Sequence, residues 1–311
     1  MTKSALEQLK AFSTVVADTG DLESIKIFRP RDATTNPSLI LKAAQQEQYR
    51  EILEKTISDN KNRPLSVILN SVIVNFGSEI LKLIDGRVSS EVDARYSFDT
   101  AKTVECAQNI IELYQKNGIS RERILIKIAA TWEGISAAEI LENSGIHCNL
   151  TLIFSLVQAA VCAEKNVTLI SPFVGRILDW YKKNNPQIDY SIQDPGVESV
   201  TEIFEYYKSH GFSTEIMGAS FRNIDEVLLL AGCDLLTISP KLLEELSQSD
   251  RNVDRKLTIP ESKSQNTTSS SNESHFRFTL NENAMATEKL SEGIRTFAQD
   301  TRKLEEIIGI I

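Results

Sequence analysis

The chain has 311 residues, 41% of them apolar, enough for one large core. A prior of roughly 150 residues per domain suggests two domains, but α/β barrels routinely exceed it as one, and a single domain over 1–311 is expected. The net charge of −9 argues against nucleic acid, because a phosphate backbone demands a basic face, yet it leaves small anionic metabolites open. Cys106, Cys148, Cys162 and Cys233 form no C-x-x-C pair, and residues 1–14 carry no apolar signal core. Reduced thiols in a cytoplasmic protein are the expectation. No run approaches the roughly 18 apolar residues of a membrane helix, so no membrane partner is expected. The three histidines, His147, His210 and His275, share no helical metal-ligand spacing. Zinc hydrolase and Ser-His chemistry therefore start poor, no metal is expected, and acid-base work falls to carboxylates or lysine.

In chain order, short β-branched runs recur at 14–17, 33–35, 88–92, 124–128, 148–153, 168–170, 214–217 and 235–238. Most precede helical periodicity. Val104, Ala107, Ile110, Ile111 and Tyr114 form an i, i+3, i+4 stripe ending at Gly118. Similar stretches lie at 132–141, 156–163 and 224–230. The span 39–83 predicts two or three extra helices between the second and third strands, with Ile68, Leu69, Val72, Ile73, Phe76 and Ile80 on one stripe. Eight alternating units favour a closed (β/α)₈ barrel over an open sheet, and the missing G-x-G-x-x-G and Walker motifs point weakly the same way. Ser, Thr, Asn and Lys dominate 252–274, which reads as an exposed flexible loop. A closing helix follows, with Leu290, Ile294, Phe297, Leu304 and Ile308 on one packed face.

Active-site groups in such barrels project from the C-terminal ends of strands. Those ends carry Asp18, Thr34, Thr35 and Asn36, then Glu91 and Asp93, Lys127, Asn149 and Thr151, Ser171, Ser220 with Arg222, and Thr237 with Ser239. Polar groups inside apolar strands are costly without partners, so they imply a shared, partly hydrated cavity. Lys127 lies in the run Ile124-Leu125-Ile126-Lys127-Ile128. Desolvation disfavours the charged ammonium, and a neutral amine is what attacks a carbonyl; the plain alternative is a strand lysine paired to Glu91. Asp18 is a candidate base or a turn residue before the N-cap Asp21. Glu91 and Asp93 share one strand face by the period of two and could instead be ion pairs with Arg95 or Arg87. Asn36 before Pro37 looks like an N-cap. Arg176 and Arg222 sit where strands give way to helices, a frequent phosphate position, or else lie on the surface.

These segments together resemble the transaldolase family, specifically its long-chain branch. The likeness runs in order through Thr14-Val15-Val16-Ala17-Asp18-Thr19-Gly20-Asp21, Asp32-Ala33-Thr34-Thr35-Asn36-Pro37-Ser38-Leu39, Ser89-Ser90-Glu91-Val92-Asp93-Ala94-Arg95 and Ile124-Leu125-Ile126-Lys127. It continues in Cys148-Asn149-Leu150-Thr151-Leu152-Ile153-Phe154-Ser155, Ser171-Pro172-Phe173-Val174-Gly175-Arg176 and Met217-Gly218-Ala219-Ser220-Phe221-Arg222-Asn223. The stretch 252–274 carries none of these motifs.

The resemblance implies that Lys127 forms an imine with a ketose phosphate and that Asp18 takes the C4 hydroxyl proton. It implies that Glu91 and Thr151 handle the water, and that Thr34, Asn36, Asn149 and Ser171 orient hydroxyls. Arg176, Ser220 and Arg222 are implied to bind phosphate. The protonated imine is the electron sink, so no cofactor is implied. Sugar phosphates are the implied partners, and because the family is often dimeric a homodimer is an expectation. The implied closing helix lies near the barrel mouth. A fructose 6-phosphate aldolase is the near rival. Related aldolases place a tyrosine where this chain has Phe173, which favours transfer here. A catalytically dead binding barrel and a metal-dependent hydrolase are the more distant rivals.

Overall fold

The computed structural model describes residues 3–259 and 272–310. Eight parallel strands, β1 (Thr14–Asp18), β2 (Asp32–Thr34), β3 (Val88–Glu91), β4 (Ile124–Ala129), β5 (Cys148–Ile153), β6 (Leu169–Pro172), β7 (Glu215–Gly218) and β8 (Leu235–Ile238), pair in chain order. β8 closes on β1, so the expected (β/α)₈ barrel is found. Each strand falls where a β-branched run was read, within a residue or two at the ends.

The strands are buried on both faces, as parallel strands covered by helices must be. Alternation separates those faces. On β4, Ile124, Ile126 and Ile128 join the layer between barrel and helices, while Leu125 joins Val16, Leu169, Met217 and Leu235 in a separate interior cluster. That cluster plugs the barrel. Lys127 is the next inward position above it, so the site rests on a packed apolar floor.

The helices are α1 (Ala5–Leu9), α2 (Leu22–Phe28), α3 (Pro37–Ala44), α4 (Arg50–Asp59), α5 (Leu65–Leu81), α6 (Thr100–Lys116), α7 (Trp132–Asn143), α8 (Leu156–Glu164), α9 (Gly175–Asn184), α10 (Pro195–His210), α11 (Ile224–Leu229), α12 (Pro240–Gln248), α13 (Glu273–Glu282) and α14 (Ala284–Ile310). The expected insertion is α3 to α5. Its stripe is buried, and Phe76 is fully so. A side chain buried to that degree contributes about 1.5–3 kcal/mol, so Phe76→Ala would loosen the packing of α5. α6 ends as its glycine implied: Gly118 takes φ +76, and its N–H returns to Gln115 O at 2.9 Å.

The loop expected over 252–274 needs a shorter boundary. Residues 252–259 have no regular structure, and 260–271 lie outside the described residues. Glu273 and Ser274, however, open α13, where Asn272 Oδ1 accepts from His275 N at 2.9 Å. Phe276 is buried with its ring 5.5 Å from that of Trp132. A cap and one aromatic anchor outweigh the polar composition there.

α14 is the closing helix, about 40 Å long at 1.5 Å per residue. Met285, Leu290, Ile294 and Phe297 pack with Leu152, Phe154 and Phe173 at the upper ends of the strands. Leu304 and Ile308 then reach the α3–α5 cluster. The helix is tied along its length: Trp180 Nε1 donates to Glu288 at 2.7 Å, Ser38 Oγ donates to Asp300 at 2.5 Å, and Arg95 pairs with Glu305 at 2.6 Å. Among the described residues, no helix is long and apolar enough to cross a membrane.

Candidate active site

Strand register builds the site. Glu91 lies opposite Lys127, Lys127 opposite Asn149, and Asp18 opposite Thr34. Residues opposite one another in a sheet point to the same face. Glu91, Lys127 and Asn149 therefore share one inward layer, and Thr151 stands in the layer above, across from Ala129.

Lys127 is only 4% exposed. Its ammonium lies 3.2 Å from Glu91 Oε2 and donates to Thr35 O at 3.2 Å. Glu91 is 3% exposed, and among the described residues its Oε2 has no partner but the Lys127 ammonium. Burial raises the Glu91 carboxyl above the usual carboxylate range, against the pull of Lys127 and Arg176. Asp18 Oδ1 accepts from Thr34 Oγ1 at 2.9 Å, and Thr34 Oγ1 also meets Thr237 Oγ1 at 2.7 Å. Burial raises Asp18 as well, with Lys127, Thr34 and Arg176 pulling the other way. Asp18 is thus a member of the cavity and not merely a turn residue; Asp21 next to it is the N-cap of α2, as read.

Asn149 is held at both ends. Ser171 Oγ donates to its Oδ1 at 2.6 Å, and its Nδ2 donates to Ser89 Oγ at 3.0 Å. Thr151 is the opposite case, since its hydroxyl is buried with no hydrogen-bond partner among the described residues. Leu152 just after it has φ +57, a costly backbone for leucine, where the β5–β6 register shifts. Gln158 on α8 supports that bulge. It is fully buried, its Nε2 donates to Ala130 O at 2.9 Å and Leu152 O at 3.1 Å, and its Oε1 accepts from Phe154 N at 2.9 Å. It was not singled out in the sequence, where it is one polar residue inside an apolar helix.

Asp93 leaves the expected shared face. β3 ends at Glu91, and Asp93 caps a short 3₁₀ turn, pairing with Arg95 at 2.5 Å. Of the two ion-pair partners weighed for the acidic pair, Arg95 takes Asp93 alone, and Glu91 turns inward to Lys127. Asn36 does cap α3, its Oδ1 accepting from Leu39 N at 2.9 Å, and it also lines the cavity.

The cavity above this layer is about 50 Å³. Lys127, Asp18, Thr34, Asn36, Thr151 and Ser171 form its floor and sides. Phe173, Arg176, Ser220 and Thr237 also line it, together with Phe297 from α14. That volume holds a few waters, well below the roughly 300 Å³ of a typical ligand pocket, so the mouth has to widen around a whole sugar phosphate. Glu91 and Asn149 stand behind the lining.

At the mouth, Gly175 and Ser220 bring two loops into contact. Gly175 N donates to Ser220 O at 2.9 Å, and a Cβ at 175 would lie 2.5 Å from that oxygen. Ser220 takes φ +65, a second non-glycine outlier at this site. The two arginines read as phosphate ligands are not equivalent. Arg176 lines the cavity, and burial together with the charge of Arg222 acts against its charged form. Arg222 does not line it; its guanidinium pairs with Asp179 at 2.7 Å. Phe297 was read only as a packed helix face, and its spacing is that of ordinary core. Ser239, at the end of β8, stands at the N-cap of α12 and is not among the residues that line the cavity.

A barrel with a buried lysine facing a carboxylate, a second carboxylate held by a threonine and an arginine at the mouth has the parts for carbonyl chemistry on an anionic substrate. The family model described as transaldolase/fructose-6-phosphate aldolase matches residues 15–308. With nearly every element of the barrel inside that match, the chain belongs to the transaldolase/fructose-6-phosphate aldolase family of enzymes.

Proposed function

We propose that this protein is a transaldolase that carries a dihydroxyacetone unit from a ketose phosphate to an aldose phosphate on Lys127. The observation that carries the reading is the buried Lys127 amine sharing one cavity with Asp18 and the unpartnered Thr151 hydroxyl. Lys127 gives a proton to Glu91 and the resulting amine attacks the C2 ketone; Glu91 and Thr151 then return protons to the departing oxygen as water leaves, and an iminium remains. Asp18 takes the C4 hydroxyl proton, and the C3–C4 electron pair moves into the iminium to give an enamine while an aldose phosphate departs. A raised carboxyl suits that task, because its base strength lies nearer to neutrality. The enamine carbon then attacks the acceptor aldehyde, Asp18 returns its proton to the new hydroxyl, and water releases the ketose.

Sedoheptulose 7-phosphate or fructose 6-phosphate fits as donor, and glyceraldehyde 3-phosphate or erythrose 4-phosphate as acceptor. This is the chemistry of the non-oxidative pentose phosphate pathway in a cytoplasmic enzyme. The family also includes aldolases that cleave without transfer. Phe173 favours transfer, because it is 6% exposed, packs edge-on to Phe154 at 5.5 Å and offers the cavity no hydroxyl. Borohydride reduction with fructose 6-phosphate, followed by peptide mapping, should place the adduct on Lys127; a label elsewhere, or none, defeats the mechanism. Erythrose 4-phosphate should raise turnover of fructose 6-phosphate if transfer dominates. Phe173→Tyr should increase release of free dihydroxyacetone, and unchanged release would count against the role given to this ring.

A further inference from the structure

Arg176 and Arg222 lie near enough for their charges to act on each other but are held by opposite means. Arg222 spends its N–H groups on protein oxygens. Its Nε and Nη2 donate to Asp179 at 3.1 and 2.7 Å, and its Nη1 donates to Ser220 O at 3.3 Å. The Arg176 side chain makes no hydrogen bond or ion pair among the described residues, and Glu292, Glu91 and Asp18 act on its charge only from beyond contact distance. Its guanidinium carbon lies 5.0 Å from the centre of the Phe173 ring and 5.6 Å from that of Phe297. An aromatic face attracts a guanidinium without consuming its N–H donors or neutralising its charge. Arg176 is thus fixed yet unspent, which is what bidentate capture of an oxyanion needs.

Phe173 belongs to the barrel, whereas Phe297 comes from α14, far off in the sequence. Its ring is 2% exposed and forms part of the cavity wall beside Arg176. The backbone of α14 comes close one turn earlier. A Cβ on Gly293 would lie 2.6 Å from Leu152 Cδ2 and 3.3 Å from Arg176 Nη1. The ties from Glu288 to Trp180 and from Asp300 to Ser38 fix the helix on either side of Phe297.

We propose that Phe297 is a positioning residue for Arg176, holding the guanidinium at the barrel mouth with its N–H groups free for the phosphate of a sugar phosphate. The inference rests on the proposed sugar-phosphate reading and deepens it by assigning α14 a part in phosphate capture. Arg176 is the primary phosphate ligand, and Arg222 joins only by exchanging Asp179 for the anion.

The probe is inorganic phosphate, titrated calorimetrically into the intact protein and its variants, so that the readout does not depend on turnover. Phe297→Leu keeps an apolar body and removes the π face. It should weaken phosphate binding roughly three- to tenfold, the size expected for one partly desolvated cation–π contact. Phe297→Tyr retains a ring and should bind phosphate within about twofold of the parent. The KM for fructose 6-phosphate should rise with Phe297→Leu by a similar factor while kcat changes little; a merely structural defect would lower kcat and the melting temperature together. Phosphate binding by Phe297→Leu as tight as the parent's, alongside loss of binding in Arg176→Met, overturns this inference alone. A parent protein that binds no phosphate overturns the phosphate reading with it.

Discussion

The two ends of the barrel each carry an ion pair, half-buried at the lower end and buried at the upper, and they are satisfied to different degrees. At the N-terminal end of the strands, Asp32 Oδ1 accepts from Arg87 N at 2.9 Å, and Arg87 pairs with Asp32 at 3.2 Å and with Glu215 at 2.7 Å. Among the described residues, Arg87 Nε is the one buried side-chain atom of this cluster left without a partner. At the C-terminal end, Lys127 and Glu91 meet at 3.2 Å, but among the described residues Glu91 Oε2 has no further partner, Thr151 Oγ1 has none at all, and Asp18 is raised by burial. Carboxylates close to saturated by fixed donors have little left to offer a ligand. Buried groups with spare capacity cost stability and are worth keeping only where something is to be bound or moved. The comparison assigns the lower end to stability and the upper end to chemistry, as barrel enzymes generally divide them.

The largest expected effects test that division by sign. Lys127→Met with Glu91→Leu should abolish turnover and borohydride labelling. The double variant should melt no lower than the parent, because replacing a whole buried pair by apolar groups is often neutral or stabilising. Arg87→Met should do the reverse, keeping turnover while stranding Asp32 and Glu215. Its cost should fall between roughly 1 kcal/mol for an exposed pair and roughly 3–5 kcal/mol for a fully buried one, since Arg87 is 19% exposed. Urea unfolding and the coupled transfer assay read both variants. The division collapses if the upper-end double variant is the less stable of the two.

How much of this was legible in sequence depends on the element. Interior parity made the floor readable. In a strand such as Ile124–Ala129, a lysine two positions beyond Leu125 can only point where Leu125 points, into the barrel. Asp93 was misplaced because parity holds only while the strand lasts, and β3 ends at Glu91. Arg222 could not be told from Arg176 by local context: Asp179 stands three residues after Arg176 yet pairs with Arg222, far off in the chain, and the Phe297 ring reaches Arg176 from distant α14. Gln158 and Phe297 carry no local signal at all: an uncharged polar residue in a helix and an aromatic on an apolar stripe have the periodicity of plain core. Helix α13 was hidden by a composition that Asn272 and Phe276 override.

A third buried carboxyl falls between the two classes and supplies the smallest and most specific test. Glu226 on α11 is 1% exposed; its Oε2 accepts from Arg222 N at 2.7 Å, and its Oε1 has no hydrogen bond. Asp194, the N-cap of α10, faces it, and Asp179 on α9 and the Arg222 side chain contribute as well. Burial pushes the Glu226 carboxyl up to about 7 from an ordinary 4.5, with Asp194 adding to the rise and Arg222 opposing it. Between those values the folded protein holds a proton that the unfolded chain has lost. This contribution to stability is therefore complete below about 4.5, declines as pH rises and is gone above about 7. Glu226→Gln keeps an oxygen for the Arg222 N–H and removes the titration. Its urea midpoint should fall less steeply than the parent's across that window. A residual slope should remain, because Asp18 and Glu91 are shifted in the same direction. Equal slopes in parent and variant would place Glu226 with the saturated carboxylates of the lower end, despite its unpartnered oxygen.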